Sequence, residues 1–423
     1  MSRSPSEPPR GDSTPGRPTR VAIVNLLFNW PATGGRVFHT VGLGEFLCRA
    51  GYDVRHFYAV YPPWGIGRVE SPVPVPSEPV VFDDRAWGRE TIQDRFRRAV
   101  RAFEPDYVVV TGSWNFKPLL AEAICDYPYF LRFGALECLC PLNNVRLLPA
   151  AAGRFSQCLH HQLATPDVCH RCVAGRDRVS GSLHQRERAL AGVGTMEYDR
   201  KLRRALREAR AVLVVNPLIQ AMLGPYARDV RVVTSGFDPA RFPWPWPDEK
   251  PAPDPGPRRI FFGGLVHDAL KGFHVLHEAC SLLRKRRRDF RLVATGEPPG
   301  QVDEFTRYVG WLSQEELPRH LRAADLVAFP TVAQEALGRT AVEAMAAGRP
   351  VVASRIGGLP HTVGDAGLLA EPQDPVDLAR KTATLLDDAG LRQHLGAAGR
   401  RRFEEDFTWD VIVERHYKPL LSA

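Results

Sequence analysis

Residues Val21 to Leu27 form an almost unbroken apolar run, VAIVNLL. A strand with one wet face alternates polar and apolar residues, whereas a continuous run asks for cover on both faces. That is the condition of an inner strand in a parallel sheet. Gly34-Gly35 follow, then a helical pattern from Val37 to Ala50 that stops at Gly51, then a second strand candidate, Tyr52–Tyr58. Strand, glycine turn and helix in that order open a doubly wound α/β domain, which places its ligands at the carboxyl ends of the strands. Tyr107–Thr111, Tyr129–Phe133, Val212–Val215 and Val230–Thr234 continue the strand series.

From Asp238 to Pro257 the chain turns Pro-rich, with Pro243, Pro245, Pro247, Pro251, Pro253, Pro255 and Pro257. Such a stretch is neither helix nor inner strand and reads as an interdomain linker. The α/β alternation then restarts with strands at Arg259–Gly263, Arg291–Thr295, Ala324–Phe329 and Pro350–Ser354, and helices at Phe273–Arg284 and Thr340–Ala347. A chain of 423 residues suits two domains of ordinary size. The expected division is a disordered tail (1–19), an N-terminal domain (20–240) with a Cys-rich insertion (138–175), a linker (241–257), a C-terminal domain (258–405) and a closing helix (406–423). Glu404–Asp406 reads as a second hinge before that helix.

With 44% hydrophobic and 25% charged residues, the composition is that of a soluble globular protein. No apolar run reaches the roughly 20 residues of a membrane span, and the Ser-, Pro- and Arg-rich start has no apolar signal core. The expectation is a cytoplasmic protein. The formal charge of +8 comes mainly from arginine, clustered at Arg95–Arg101, Lys201–Arg210 and Arg284–Arg288. Their spacing is that of solvated helix faces. The alternative is peripheral contact with an anionic surface at the inner face of a membrane.

The densest chemistry lies in Glu335-Ala-Leu-Gly-Arg-Thr-Ala-Val-Glu343-Ala-Met-Ala-Ala-Gly348-Arg-Pro350, followed by Gly357-Gly358. The strand before it delivers a loop with Glu335 at its tip, and Gly338 opens a helix whose free N–H groups suit a diphosphate. Glu343, inside that helix, is placed to accept hydrogen bonds from paired hydroxyls. Taken alone, two glutamates at this spacing fit exposed helix carboxylates better than a binding site.

In its wider context the stretch resembles the Glu-x7-Glu motif of family 4 of the retaining glycosyltransferases. The resemblance extends to Val309-Gly310-Trp311-Leu312 with Glu316-Leu317, to Gly263-Gly264 with Lys271-Gly272, to Gly236-Phe237-Asp238 with Phe242, and to Phe407-Thr408-Trp409. It is dense in the C-terminal half and scattered in the N-terminal half. It implies a GT-B fold, two Rossmann-like domains facing a cleft, with a nucleotide-sugar donor (UDP-, GDP- or dTDP-linked) on the C-terminal domain and a hydroxyl acceptor on the other. Glu335 would then meet the donor sugar and Glu343 the ribose. Lys271 and the amides of Leu337, Gly338 and Arg339 would meet the diphosphate. Gly34 and Gly35 would approach the phosphates from the opposite wall, with Gly263 and Gly310 lining the donor site. The acceptor would be a bacterial glycan, a glycolipid or a secondary metabolite.

The chain departs from the family pattern in two places. No arginine follows Gly264, so Arg339, Arg355 or His267 would take its part. No histidine follows the strand Tyr129–Phe133, where Arg132 or Glu137 would stand instead, Glu137 being the expected catalytic choice. No Asp-x-Asp motif appears, in keeping with a site that uses protein cations and needs no catalytic Mg²⁺.

Cys138, Cys140, Cys158, Cys169 and Cys172 crowd into the insertion. Cys169-His-Arg-Cys172 has metal-binding spacing, and Cys140 and Cys158 complete four thiolates for a structural zinc. Disulfide or redox use and unligated thiols are the alternatives. The insertion directly follows Glu137 and is expected to wall the acceptor pocket. Two alternative functions are a GT-B epimerase or phosphorylase and, less well supported, a zinc-knuckle protein that holds a polyanion. No aromatic–basic interleaving supports the latter, and no nucleic-acid partner is expected.

Overall fold

The computed structural model describes residues 17–32, 34–150, 154–176, 181–246, 256–300 and 302–422. Nearly all of the expected tail and most of the Pro-rich linker lie outside the described residues.

Two parallel sheets divide the chain. The first holds β1 (Arg20–Asn25), β2 (Asp53–Val60), β3 (Ser77–Val81), β4 (Tyr107–Val110), β5 (Tyr129–Phe133), β8 (Ala211–Val214) and β9 (Val230–Val232). Its order is β3-β2-β1-β4-β5-β8-β9, reversing direction between β1 and β4. The second holds β10 (Arg258–Phe262), β11 (Phe290–Ala294), β12 (Thr306–Tyr308), β13 (Leu326–Phe329), β14 (Val351–Ser354) and β15 (Gly367–Ala370), in the order β12-β11-β10-β13-β14-β15. It reverses between β10 and β13. Between them in sequence, β6 (Leu147–Pro149) and β7 (Phe155–Gln157) form an antiparallel hairpin.

The apolar run behaves as its composition requires. Val21, Ala22, Ile23 and Val24 are fully buried, with alternate side chains feeding two cores on opposite faces of the first sheet. The strand ends at Asn25, two residues short of the apolar run, as the chain turns off the sheet. The strand β3 has no apolar run to announce it, because Ser77–Val81 is short and half-exposed on the sheet edge.

Helices cover both faces. The first domain has α1 (Gly35–Arg49), α2 (Arg89–Phe103), α3 (Lys117–Ala123), α4 (Pro166–Arg176), α5 (Ser182–Ala191), α6 (Met196–Glu208) and α7 (Pro217–Leu223). The second has α8 (Phe273–Arg284), α9 (Leu317–Ala323), α10 (Arg339–Ala346), α11 (Leu359–Val363), α12 (Pro375–Asp387) and α13 (Ala389–Asp406). The Arg95–Arg101 cluster lies on α2 and the charges of the Lys201–Arg210 cluster, all but the last, on α6; the opposite faces of these helices bury Phe96 and Leu202. Both are therefore amphipathic helices with solvated charged faces.

Three joints differ from the sequence expectation. The start of the linker is docked: Phe242 is fully buried, Trp246 nearly so, and Arg400 Nη1 donates to Phe242 O at 2.8 Å. Glu404–Asp406 is the last turn of α13, and the helix breaks only at Phe407. There Phe237 N donates to Phe407 O at 2.9 Å and Trp409 N to Phe237 O at 3.1 Å, so the two crossings between domains are tied to each other. After the break, Trp409–Leu421 packs helically against the first domain beside α1 and Phe46. The third joint is the hairpin. Leu147 is buried in the core of the second domain, and Phe155 exchanges two 2.9 Å hydrogen bonds with Gln373. The insertion thus spans the cleft as well as bordering it.

Candidate active site

Each domain offers its strand ends to the other, and the C-terminal reversal between β10 and β13 gathers most of the residues expected from sequence. The chain leaving β10 passes Gly263 and Gly264 and reaches Lys271 at the end of a single 3-10 turn, closed by Gly272 at φ 73°. The chain leaving β13 reaches Glu335. The two meet: Lys271 Nζ donates to Glu335 Oε1 at 2.7 Å. Burial works against the lysine's charge, yet the Glu335 carboxylate outweighs it and holds Lys271 above its ordinary pKa. Lys271 stays a cation, and its side chain keeps a third of its surface exposed, open to a ligand.

The Glu335 loop is clamped from behind. Gly358 N donates to Glu335 O at 2.7 Å. A Cβ on Gly357 would lie 2.4 Å from that oxygen, and one on Gly358 2.1 Å from Ala336 O, so this glycine pair is the only way to bring the backbones together. From the other domain, Asn216 Nδ2 donates to Ala336 O at 2.6 Å, and Arg146 O accepts from Gln334 Nε2 at 3.2 Å. Gly338, at φ 79°, turns the chain into α10. The Leu337 side chain is buried in the core, leaving only its backbone for ligand contact.

Arg339 points across the cleft. Its guanidinium carbon stands 4.2 Å from the Phe237 ring centroid and 5.3 Å from that of Phe38 on α1. A Cβ on Gly35 would come within 2.8 Å of Arg339 Cδ, so Gly35 does meet the opposite wall here. Arg339 Nη2 lies 3.5 Å from Glu343 Oε1, and Glu343 is itself buried. Burial lowers the pKa of Arg339, with Glu343 opposing. Of the three candidates to replace the missing cation after Gly264, only Arg339 is held in the cleft. Arg355 is paired with Glu371 at 3.3 Å, and His267 is exposed. Gly310, at φ 72°, accepts a 2.7 Å hydrogen bond from Gly296 N, which closes the loop beyond β12.

Glu137 is placed otherwise than expected. It is fully buried, its Oε2 accepting from Gly134 N at 3.0 Å and its Oε1 from Arg36 Nη1 at 3.3 Å. Its oxygens are engaged within the wall, so it offers no free face to a reacting atom. Beside it, Lys117 is buried, with Nζ donating to Thr111 O at 2.6 Å and Arg132 O at 2.7 Å. Sequence reasoning missed Arg36, His39 and Asn25. The signal for the first two was the helical spacing after Gly35, which points positions 36 and 39 back toward the strand ends.

The zinc expectation is not met in its simple form. Among the described residues no three His, Cys, Asp or Glu side chains stand ready to hold a metal ion. All the cysteines are free thiols, and Cys140 and Cys158 turn to protein oxygens, Asn143 Oδ1 at 3.3 Å and His160 O at 3.8 Å. The thiols nevertheless gather. Burial, and then the neighbouring thiols of Cys140 and Cys158, push Cys169 up to about 12.

Among the described residues no helix is long and apolar enough to cross a membrane. Residues 256–388 match the glycosyl transferases group 1 family. Glycogen synthase of Mycobacterium tuberculosis (strain CDC 1551 / Oshkosh) is 31% identical over 269 residues, covering 60% of this chain and 62% of that protein. The chain therefore matches less than two thirds of that relative's length. Sucrose-phosphate synthase from Thermosynechococcus elongatus superposes with a TM-score of 0.67 at 19% identity, over 96% of this chain and 99% of that one. Anabaena HepE, solved in complex with UDP and glucose, gives 0.62 at 14% identity, over 96% and 100%. The fold is GT-B: two Rossmann-like domains of α/β type.

Proposed function

We propose, for a GT-B chain whose C-terminal domain matches the glycosyl transferases group 1 family, that it moves a sugar from a nucleotide-sugar donor to an acceptor hydroxyl with retention of anomeric configuration. The observation that carries this reading is the Lys271–Glu335 pair at the C-terminal strand reversal, 2.7 Å long and part-exposed, beside the start of α10. A switch point of this kind is where open α/β sheets bind ligands. The relatives agree in kind, since HepE was solved with UDP and glucose.

In this reading the donor rearranges the two ion pairs. Lys271 transfers its charge to the diphosphate, joined by the first N–H groups of α10, and Glu335 turns to the sugar hydroxyls. Glu343 takes the ribose hydroxyls while Arg339 keeps the inter-domain wall in place. As the glycosidic bond to the diphosphate breaks, negative charge grows on the leaving oxygen, where fixed cations lower the barrier. The sugar develops oxocarbenium character. The leaving oxygen can take the proton of the incoming hydroxyl on the same face, so retention requires no separate base. Glu137 holds Arg36 in position and does not touch the substrate.

The zinc of the insertion is a separate part of the proposal. Its support is the gathering of Cys140, Cys158, Cys169 and Cys172, soft donors with zinc-type spacing that a dication would draw closer. Elemental analysis of the purified chain tests it: one Zn²⁺ per chain supports it and none removes it.

The transferase reading is tested by proton NMR of reactions with UDP-, GDP- and dTDP-sugars. A product or hydrolysed sugar formed first as the donor's own anomer supports it. Inversion, or no consumption of any donor, rejects it.

A further inference from the structure

The N-terminal sheet also reverses, between β1 and β4, and several polar atoms there have no hydrogen-bond partner among the described residues. Arg132, near the end of β5, is 2% exposed. Its Nε donates to His39 Nε2 at 3.1 Å, while Nη1 and Nη2 have no partner. Asn25, the last residue of β1, is fully buried with both side-chain atoms unpaired. His39 Nδ1 on α1 and the Tyr417 hydroxyl on the closing helix are buried and unpaired as well. These atoms come from β1 and β5, the two strands that flank β4, and from the two helices that cover the same face. Buried polar groups are almost always hydrogen-bonded, so a cluster of exceptions calls for an explanation.

The charge balance is as uneven as the hydrogen bonding. Arg36 is matched by Glu137 and Arg339 by Glu343. Lys117 donates to the carbonyls of Thr111 and Arg132 and shares the Glu137 carboxylate with Arg36, while Arg132 donates to a histidine. Burial, and then Arg132, Arg339 and Lys117, hold His39 well below its usual range, so it is neutral and adds no charge. Nearby Glu187, pushed up to about 8 by burial, is largely protonated near neutrality and does not offset the cations. Arg36, Lys117, Arg132 and Arg339 thus face two carboxylates, Glu137 and Glu343, and two surplus positive charges are costly to leave buried.

We propose that this N-terminal switch point is an oxyanion subsite for a phosphate monoester. A monoester carries about −1.5 to −2 charge at neutral pH, which matches the two spare cations, and its oxygens suit the guanidinium fork. The subsite is distinct from the diphosphate position at Lys271. Insofar as the chain is a transferase, the anion belongs to the acceptor, making that acceptor a phosphorylated sugar or polyol. The same chemistry would also take free phosphate.

The test uses the full chain, thermal shift and calorimetry, at fixed ionic strength set with chloride. Inorganic phosphate should bind and raise the melting temperature. It should still do so with UDP, GDP or dTDP at saturation, whichever binds. Arg132→Met should melt higher than wild type without phosphate, because an unpaired buried charge is gone, and should lose phosphate affinity at least tenfold. Arg132→Lys should lose less. Asn25→Leu, which removes only the unpaired amide, should weaken phosphate several-fold, and it keeps the test alive if the Arg132 variants do not fold. Glucose 6-phosphate binding more tightly than both glucose and inorganic phosphate assigns the anion to the acceptor. Inorganic phosphate binding with no response to glucose 6-phosphate assigns it to the free ion. Unchanged phosphate affinity in Arg132→Met and Asn25→Leu overturns the subsite, as does displacement of phosphate by the nucleotide. If no nucleotide binds, the transferase reading fails while the phosphate result still decides the subsite.

Discussion

The two sheets reverse direction at corresponding places, yet the two reversals are furnished in opposite ways. Between β10 and β13, Lys271 and Glu335 satisfy each other at 2.7 Å and stay part-exposed. Around the reversal between β1 and β4, Asn25 on β1 and Arg132 on β5 are sealed from water, with the Asn25 amide and the Arg132 Nη1 and Nη2 without partners among the described residues. A mutually paired, accessible site is stable without its ligand and gives up one ion pair to bind. A sealed, unpaired one carries a standing energetic cost that only a matching ligand offsets. The C-terminal site should therefore be expensive to lose in turnover, and the N-terminal one in affinity.

The largest effect expected from breaking this contrast is at the paired site. Lys271→Ala and Glu335→Ala should each lower kcat by two orders of magnitude or more, since losing one such electrostatic contact costs about 3 kcal/mol of barrier. Circular dichroism should stay unchanged, because neither residue belongs to a core. Near-wild-type rates would move the chemistry elsewhere.

Glu343→Ala comes next. Ribose contacts are alike in ground and transition states, so the donor KM should rise roughly tenfold while kcat falls less. An equal fall in kcat and kcat/KM would place Glu343 at the reacting centre instead.

Glu137→Gln should be milder still, raising the acceptor KM a few-fold by loosening Arg36 and leaving the pH profile of kcat in place. Were Glu137 a general base, kcat would drop by about 10² to 10⁴ and the acidic limb of the profile would disappear.

The smallest effect concerns Glu187, whose carboxyl accepts from Phe116 N at 2.7 Å and Asn115 Nδ2 at 3.0 Å in the loop after β4. Burial pushes it up to about 8, well above the usual carboxylate range. A raised carboxyl contributes stability that is present below the unfolded-state value and lost as pH rises through the folded one. Wild type should accordingly lose stability relative to Glu187→Gln between pH 5 and 8, as measured by urea denaturation. A constant difference across that range would mean the carboxyl is already ionised at pH 5.

Much of the C-terminal domain was legible because its chemistry is local in sequence. Glu335, Gly338 and Glu343 fall within one loop and helix, and the Gly357-Gly358 turn that clamps them follows soon after. The parallel sheet was legible too, since runs such as Val21–Val24 need cover on both faces. The N-terminal site was not, because Asn25, His39, Arg132 and Tyr417 are brought together by pairing across distant parts of the chain and have no spacing to read. Glu137 was misplaced for the same reason: its partner Arg36 is 101 positions away. The hairpin went unseen because Leu147 and Phe155 find their partners in the opposite domain. The hinge at Glu404–Asp406 failed on simpler grounds, as the helical pattern of α13 runs through it without a breaker.

The account rests on nucleotide recognition at Lys271 and Glu335, and calorimetric titration of wild type and Lys271→Ala with UDP, GDP and dTDP addresses that directly. Ligand bound only to the folded state stabilises it by about 2.7 kcal/mol at a hundred times Kd, so a thermal shift should accompany the heat. The prediction is that one nucleoside diphosphate binds wild type at one site per chain, and that Lys271→Ala weakens it at least tenfold while keeping its fold. Equal affinity in the two proteins, or no binding of any of the three, would contradict it.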